Sequence, residues 1–152
     1  MRTPTLVVAA LLLGSATSSG AAQHFSRLSS PVPAWADSAL TAAGTFTHYD
    51  VPSRLSLECG WGDFDGDGFS DFALVVVDGG RRRGLAIVHF LDRSVHIVGA
   101  GESVGNGSDA LPADWGIETL NGQRDAIFAV YRDASGWIAW TGQRYVWVQA
   151  SE

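Results

Sequence analysis

Short apolar segments separated by glycine and polar residues make up most of the chain after residue 54. Residues 55–59 alternate between apolar and polar positions, whereas residues 72–77 are continuously apolar, as in a strand buried on both faces. Further strands are predicted at 85–91, 95–98, 125–131, 137–141 and 145–148. Regularly spaced turn residues between short strands are typical of antiparallel structures. The sequence therefore predicts a mainly β fold, with a small antiparallel sheet or meander.

One segment before these strands has a helical pattern. Residues 33–43 are rich in alanine, and Trp35, Ala39 and Ala42 fall near one face of a helix. Proline is tolerated in a first turn and glycine commonly follows a last turn, so Pro33 and Gly44 bound a short N-terminal helix. A long glycine-containing loop is predicted at 99–113.

The first 22 residues have the pattern of a signal peptide. Arg2 precedes an apolar run at 6–13, and small residues at 16–22 lead to a cleavage site before Gln23. The run is about half of the roughly 20 residues that a membrane span needs, so we expect no span in the mature protein. The expected division is a signal peptide (1–22), a lead-in with the short helix (23–46), and a β domain (47–152). We expect export to the periplasm or beyond.

Composition narrows the classes of partner. The formal net charge is −6, which disfavours binding to the phosphates of nucleic acids. Cys59 is the only cysteine, so the chain cannot build a disulfide scaffold. The 152 residues suffice for one domain. Four acidic residues lie together between positions 63 and 71, which indicates a cation.

The segment from 63 to 71 reads D-x-D-x-D-G-x-x-D. Calcium takes six to eight oxygen ligands, and carboxylates at positions one, three, five and nine can converge if the backbone wraps around the ion. Gly68 at the sixth position permits that wrap, and the carbonyl of Phe69 can supply a further ligand. The alternatives are an acidic hairpin turn, since Asp-Gly is common in turns, and magnesium, which keeps more of its waters.

An EF-hand does not fit this loop. Its twelfth position, where a bidentate Glu would stand, is Leu74, and a strand rather than a helix follows. The segment GDFDGDGFSDFALVV at 62–76 instead resembles the FG-GAP and VCBS-type repeats, in which such a loop binds calcium beside a strand. The resemblance implies a calcium site made by the Phe69 carbonyl and four carboxylates, those of Asp63, Asp65, Asp67 and Asp71.

The resemblance covers a single repeat. Propellers need four or more blades, and the chain is too short for them. The overall layout is similar to that of small exported bacterial proteins. A weak internal similarity relates residues 71–77 to 125–131, with Asn121-Gly122 roughly where Asp65-Gly66 stands. It indicates either a second, metal-free copy or a chance likeness between hairpins.

Two other motifs fail as catalytic or metal sites. Ser103 lies in a G-x-S-x-G sequence, but no helix pattern follows and all four histidines precede it, unlike an α/β-hydrolase. His89 and His96 could approach each other across adjacent strands, but two histidines alone make an incomplete zinc site. We therefore expect no catalysis.

Aromatic residues are abundant near the C-terminus. Exposed rings could bind a glycan or a protein, and core packing is the simpler explanation. The candidates are Trp137, Trp140, Tyr145 and Trp147. The sequence thus favours an exported, calcium-stabilised β module that binds an extracellular or periplasmic protein or glycan. The alternative is a small hydrolase or enzyme inhibitor acting on cell-wall or extracellular polymers.

Overall fold

A computed structural model describes residues 27–28, 32–52 and 57–150. The predicted signal peptide, its cleavage site and residues 55–56 of the first predicted strand lie outside these ranges. In the described ranges, no helix is both long and apolar enough to cross a membrane.

The described residues form two short helices and nine strands. In chain order these are β1 (Arg27–Leu28), α1 (Ala34–Ala42), α2 (Thr45–His48), β2 (Leu57–Gly62), β3 (Asp71–Val77), β4 (Arg83–Val88), β5 (Val95–Gly99), β6 (Trp115–Leu120), β7 (Arg124–Val130), β8 (Ser135–Trp140) and β9 (Tyr145–Gln149).

The strands form two antiparallel sheets. The first has the order β1-β2-β3-β4-β5 and the second the order β6-β7-β8-β9, so neighbours in the chain are neighbours in the sheet. Short turns between successive strands permit this arrangement, because only antiparallel neighbours can be joined by tight hairpins. The predicted mainly β meander is confirmed, and it is divided into two sheets.

The main core lies between the two sheets. Ala73, Val75, Leu85 and Ile87 face it from the first sheet, and Ile127, Ala129 and Ile138 face it from the second. On the other face of the first sheet, Leu74 and Val76 pack with Ala36 and Leu40 of α1. Strand β3 is therefore covered on both sides, which is why its sequence is continuously apolar.

Helix α1 begins after Pro33 and ends before Gly44, as predicted. Gly44 has a φ of 70°, a conformation that glycine adopts at little cost. The one-turn helix α2 and the strands β1 and β6 were not predicted. In β6 the alternation of buried Trp115 and Ile117 with less buried neighbours is a period-two pattern that the sequence does contain.

The predicted long loop, now residues 100–114, is attached to the rest of the molecule. Val104 and Leu111 are buried in the main core. The amide of Leu111 donates to the carbonyl of Arg83 at 2.7 Å, and Arg82 pairs with Asp109 at 2.6 Å. These contacts hold the loop against β4 and the main core.

Four strands of the first sheet, β2-β3-β4-β5, and the four of the second, β6-β7-β8-β9, both follow chain order. When the sequence around Asp71 is aligned with that around Asp125, Val75 corresponds to Ala129, and both side chains lie in the main core. Val75 pairs with Leu85, however, and Ala129 pairs with Gly136. The glycines at 84 and 136, which carry part of the sequence similarity, are therefore one residue out of register.

Candidate metal centre

The acidic loop connects β2 to β3, and the Gly62–Asp71 strand pair brings its two ends together. Gly66 and Gly68 have φ values of 81° and 88°. A side chain rarely adopts such angles, so these two residues let the backbone turn back on itself. The expected role of Gly68 in wrapping the loop agrees with this geometry.

Carboxylates of the loop bind its own backbone amides. Asp63 accepts hydrogen bonds from the amides of Gly66 (2.8 Å) and Gly68 (2.9 Å), one at each oxygen. Asp65 accepts from the amide of Asp67 at 3.0 Å, and Asp67 from that of Phe69 at 2.7 Å. These bonds fix the carboxylates against the backbone of the turn. Each carboxylate oxygen has two lone pairs, so the bonds leave acceptor capacity for a cation.

Two overlapping groups of side chains could hold a metal ion. Asp63, Asp65 and Asp67 form the first, and Asp65, Asp71 and His89 form the second, with the ligand atoms of each group within 4.8 Å of one another. Asp65 belongs to both. The four predicted aspartates thus lie around one loop, with Asp71 on its buried side next to Asp65.

Asp71 differs from the other three in its burial. Its exposed fraction is 0%, and its two oxygens accept hydrogen bonds from the amides of Phe64 (2.9 Å) and Phe90 (2.8 Å). Burial raises the pKa of Asp71 to about 6, repulsion from Asp65 adds to the rise, and the two amide donors oppose it. This carboxylate ties the acidic loop to the turn after β4.

Burial also raises the pKa of Asp65, and the nearby charges of Asp67 and Asp63 contribute in the same direction. Crowded carboxylates repel one another, so a cation placed among them lowers the energy of the charged form. The first group, Asp63, Asp65 and Asp67, offers only hard oxygen atoms, which calcium and magnesium prefer, whereas the second adds the imidazole of His89. The residues present therefore fit such an ion.

Phe69 has a half-exposed ring, with 49% of its surface accessible, and this ring stacks on Phe90 at 5.6 Å. Arg93 lies over the ring of Phe90 at 4.5 Å and over that of Trp35 at 4.8 Å. The loop is thereby connected through a row of aromatic contacts to α1. The carbonyl of Phe69 as a metal ligand stays a prediction.

His89 is a neighbour of the loop that the sequence did not indicate. It is 1% exposed, and its Nδ1 lies 3.6 Å from Oδ2 of Asp65. Its Nε2 lies 2.7 Å from the hydroxyl of Tyr145 in the second sheet. Burial raises the pKa of Tyr145, so this hydroxyl keeps its proton beside the imidazole ring. Nδ1 of His89 also lies 3.3 Å from the hydroxyl of Ser94.

Asp125 at the start of β7 holds the loop from the second sheet. Its amide donates to the carbonyl of Asp63 at 2.9 Å, and its Oδ2 accepts from the amide of Asp63 at 3.0 Å. A side chain at Gly62 would stand 3.0 Å from Cβ of Asp125, so this close approach requires glycine there.

The four candidate aromatic residues do not lie on one surface. Strand pairing puts Trp140 opposite Tyr145 and Ile138 opposite Trp147. Tyr145 and Trp147 pack against the main core, and Trp140 contacts His89 and His96 with ring distances of 4.8 and 4.5 Å. Trp137 lies on the opposite face beside Phe128 and donates to Glu118 at 3.0 Å. Their role in binding a partner stays a prediction.

Ser103 lies in the loop after β5. Its hydroxyl accepts a hydrogen bond from the amide of Gly105 at 3.2 Å. Strands and turns follow it through residue 150, and no helix begins among those described residues. This local structure differs from the strand-turn-helix of a nucleophile elbow. His89 and His96, which the sequence suggested could meet, have rings 4.7 Å apart.

Comparison with family models, curated proteins and solved structures found no match to this chain. The resemblance to FG-GAP and VCBS-type repeats therefore rests on the residues of 62–76 themselves.

Proposed function

We propose that this chain is an exported, calcium-stabilised β module that serves binding or interaction without catalysis. The observation that carries the proposal is the arrangement of the acidic loop. Oxygens of three carboxylates lie within 4.8 Å of one another in a turn that two glycines with positive φ allow, and the loop is fixed to both sheets. An ion held there relieves the repulsion among the carboxylates and stiffens the junction of the sheets.

Calcium is favoured over magnesium by the donor set. Three or more carboxylates from one flexible loop suit an ion that accepts six to eight oxygens at variable geometry. Magnesium demands near-octahedral geometry and retains several waters. The signal-like segment at 1–22 supports an extracellular or periplasmic location, where calcium is available.

The alternative of a hydrolase or inhibitor has less support. An acid/base pair would need two carboxyl groups that a substrate can reach. Asp65 and Asp71 are neighbours with raised pKa values, but Asp71 is fully buried and engaged by two backbone amides. It cannot approach a polymer without breaking those bonds.

Thermal unfolding tests the calcium assignment. Extracellular modules bind calcium with Kd of about 0.1–1 mM, so 1 mM calcium contributes about 0.4–1.4 kcal/mol and raises Tm by a few degrees. Asp67→Ala should remove most of this rise, because the exposed Asp67 carboxylate bonds only its own loop. Millimolar magnesium should give a smaller rise.

Asp92→Ala is a matched control for that variant. Asp92 is also an exposed turn residue whose carboxylate accepts one backbone amide, that of Ser94 at 2.8 Å. This variant should keep the full calcium effect. Equal melting temperatures in EDTA and in calcium for the unmodified protein would exclude the proposed site.

A further inference from the structure

A polar cleft of about 590 Å³ lies beside the acidic loop. It is lined on one side by Asp65 and Gly66 of the loop, and on the other by the turn between β6 and β7, through Leu120, Asn121, Gln123 and Arg124. The cleft thus brings a candidate metal ligand and a guanidinium group to one opening.

Arg124 contributes the positive charge in the lining of the cleft. No ion pair or side-chain hydrogen bond joins it to another residue in the described ranges. Its stem lies beside Gly66 of the loop, since a methyl group placed at Gly66 would stand 3.7 Å from Cβ and 3.9 Å from Cδ of Arg124. Because no carboxylate of the described residues pairs with its guanidinium, the donors of Arg124 are available for a ligand.

An ion held by the acidic loop could also contact a ligand in this cleft. The five implied ligands, four carboxylates and one carbonyl, are fewer than the six to eight oxygens that calcium accepts when each carboxylate contributes one oxygen. Since Asp65 lines the cleft, a ligand bound there could supply further oxygens to an ion that Asp65 would hold. Asn121 and Gln123 are exposed, and their amides can both donate to and accept from hydroxyl groups.

We propose that this cleft binds an acidic sugar, whose carboxylate pairs with Arg124 and whose oxygens complete the coordination of the loop-bound calcium. The inference rests on the proposed calcium site. A singly charged carboxylate suits one guanidinium, since planar carboxylates pair with it bidentately. A multiply charged phosphate polymer would be repelled by a chain of net charge −6. The hydroxyl groups of a sugar suit the two amide side chains.

Titration of the full protein with methyl β-D-glucuronoside, followed by amide NMR shifts, tests the proposal. At saturating calcium we expect binding with Kd of about 1 mM, as for a small polar ligand. The shifts should be largest at Gly66, Asn121, Gln123 and Arg124. Methyl β-D-glucoside, which lacks the carboxylate, and acetate, which lacks the ring, should each bind at least tenfold more weakly.

Arg124→Gln should weaken glucuronoside binding about tenfold. The affinity of Arg124→Lys should lie between those of Arg124→Gln and the unmodified protein, because lysine keeps the positive charge but cannot donate two parallel hydrogen bonds to a carboxylate. Arg132→Gln is the matched control. Arg132 follows the opposite end of β7 and lines a separate cleft of about 390 Å³, so this variant should bind the sugar normally.

Calorimetry with calcium alone separates the two proposals. If calcium binds but glucuronoside does not, or if acetate or an acidic peptide binds as tightly, the sugar inference is wrong and the calcium site stands. If Arg132→Gln and Arg124→Gln weaken binding equally, the cleft is not the site. If calcium itself does not bind, the proposed function fails first.

Discussion

At the scale of single residues, the aspartates of the loop differ in burial and in the amides that they bind. Asp67 is exposed and bonds one loop amide, so we expect it to act mainly through the ion. Asp71 is buried and satisfies two amides that no other described acceptor is seen to serve. The motif treats the two residues alike, but only Asp71 is buried and accepts hydrogen bonds from two backbone amides.

Replacing Asp71 by Ala should therefore destabilise the protein even without calcium. The amides of Phe64 and Phe90 would lose their acceptor, at about 1–3 kcal/mol for each buried group. Relief of repulsion with Asp65 offsets part of this loss. Urea unfolding in EDTA should show a net cost of about 2–4 kcal/mol.

Asp67→Ala provides the contrast under the same conditions. In EDTA its free energy of unfolding should lie within about 0.5 kcal/mol of that of the unmodified protein, as for an ordinary surface substitution. Equal stabilities of the two variants in EDTA would show that Asp71 has no separate structural role.

At the scale of elements, the conformation of the loop depends on Gly68. Its φ is 88°, and a Cβ placed there would meet nothing within 4 Å. Gly68→Ala should thus act through backbone strain alone, which costs about 1–2 kcal/mol in the left-handed region. We expect calcium affinity to fall about tenfold, measured by calorimetry.

Gly79→Ala is the control for that substitution. A methyl group added at Gly79 would also meet nothing within 4 Å, and the φ of this residue is not positive. The substitution should leave calcium affinity unchanged. A Gly68→Ala variant with normal affinity would mean that the loop does not need this conformation to bind the ion.

The sequence predicted most elements because their signals are local. Alternation and turn residues located β3, β5, β7, β8 and β9, and proline with glycine bounded α1. The end of β4 was placed too far along, at 91, because His89 and Phe90 continue the apolar pattern past the last paired residue, Val88. The acidic loop could be recognised from the sequence because its candidate ligands lie within nine consecutive residues.

The other contacts of that site could not be predicted, because they join positions distant in the chain. His89 meets Asp65 only because the turn after β4 lies beside the loop. Asp125 meets Asp63 across 62 residues. Arg124 reaches the loop through the packing of one sheet on the other. Such contacts depend on how the two sheets are placed, which hydrophobic periodicity does not specify.

At the scale of the whole molecule, the acidic loop lies where the two sheets join. The first sheet provides the loop itself and the amide of Phe90, and the second provides Asp125, which exchanges two hydrogen bonds with Asp63. His89 and Tyr145 add a further bond between the sheets. An ion that orders the loop should thus stabilise the junction of the sheets as well as one hairpin.

Hydrogen exchange can measure that effect at single amides. Calcium at ten times its Kd should slow local opening about tenfold, and this protection should appear at the amides of Phe90 and Asp125, which bond the loop from outside. The amides of Tyr131 and Ala150, bonded to Ala134 and Ser135 in the second sheet, should change little.

Asp125→Ala removes the carboxylate that accepts from Asp63 while leaving the loop carboxylates in place. In this variant calcium should still protect Phe90, but protection at residue 125 should fall. Protection that stayed equal at both positions would mean that the ion acts on the second sheet by another route than Asp125.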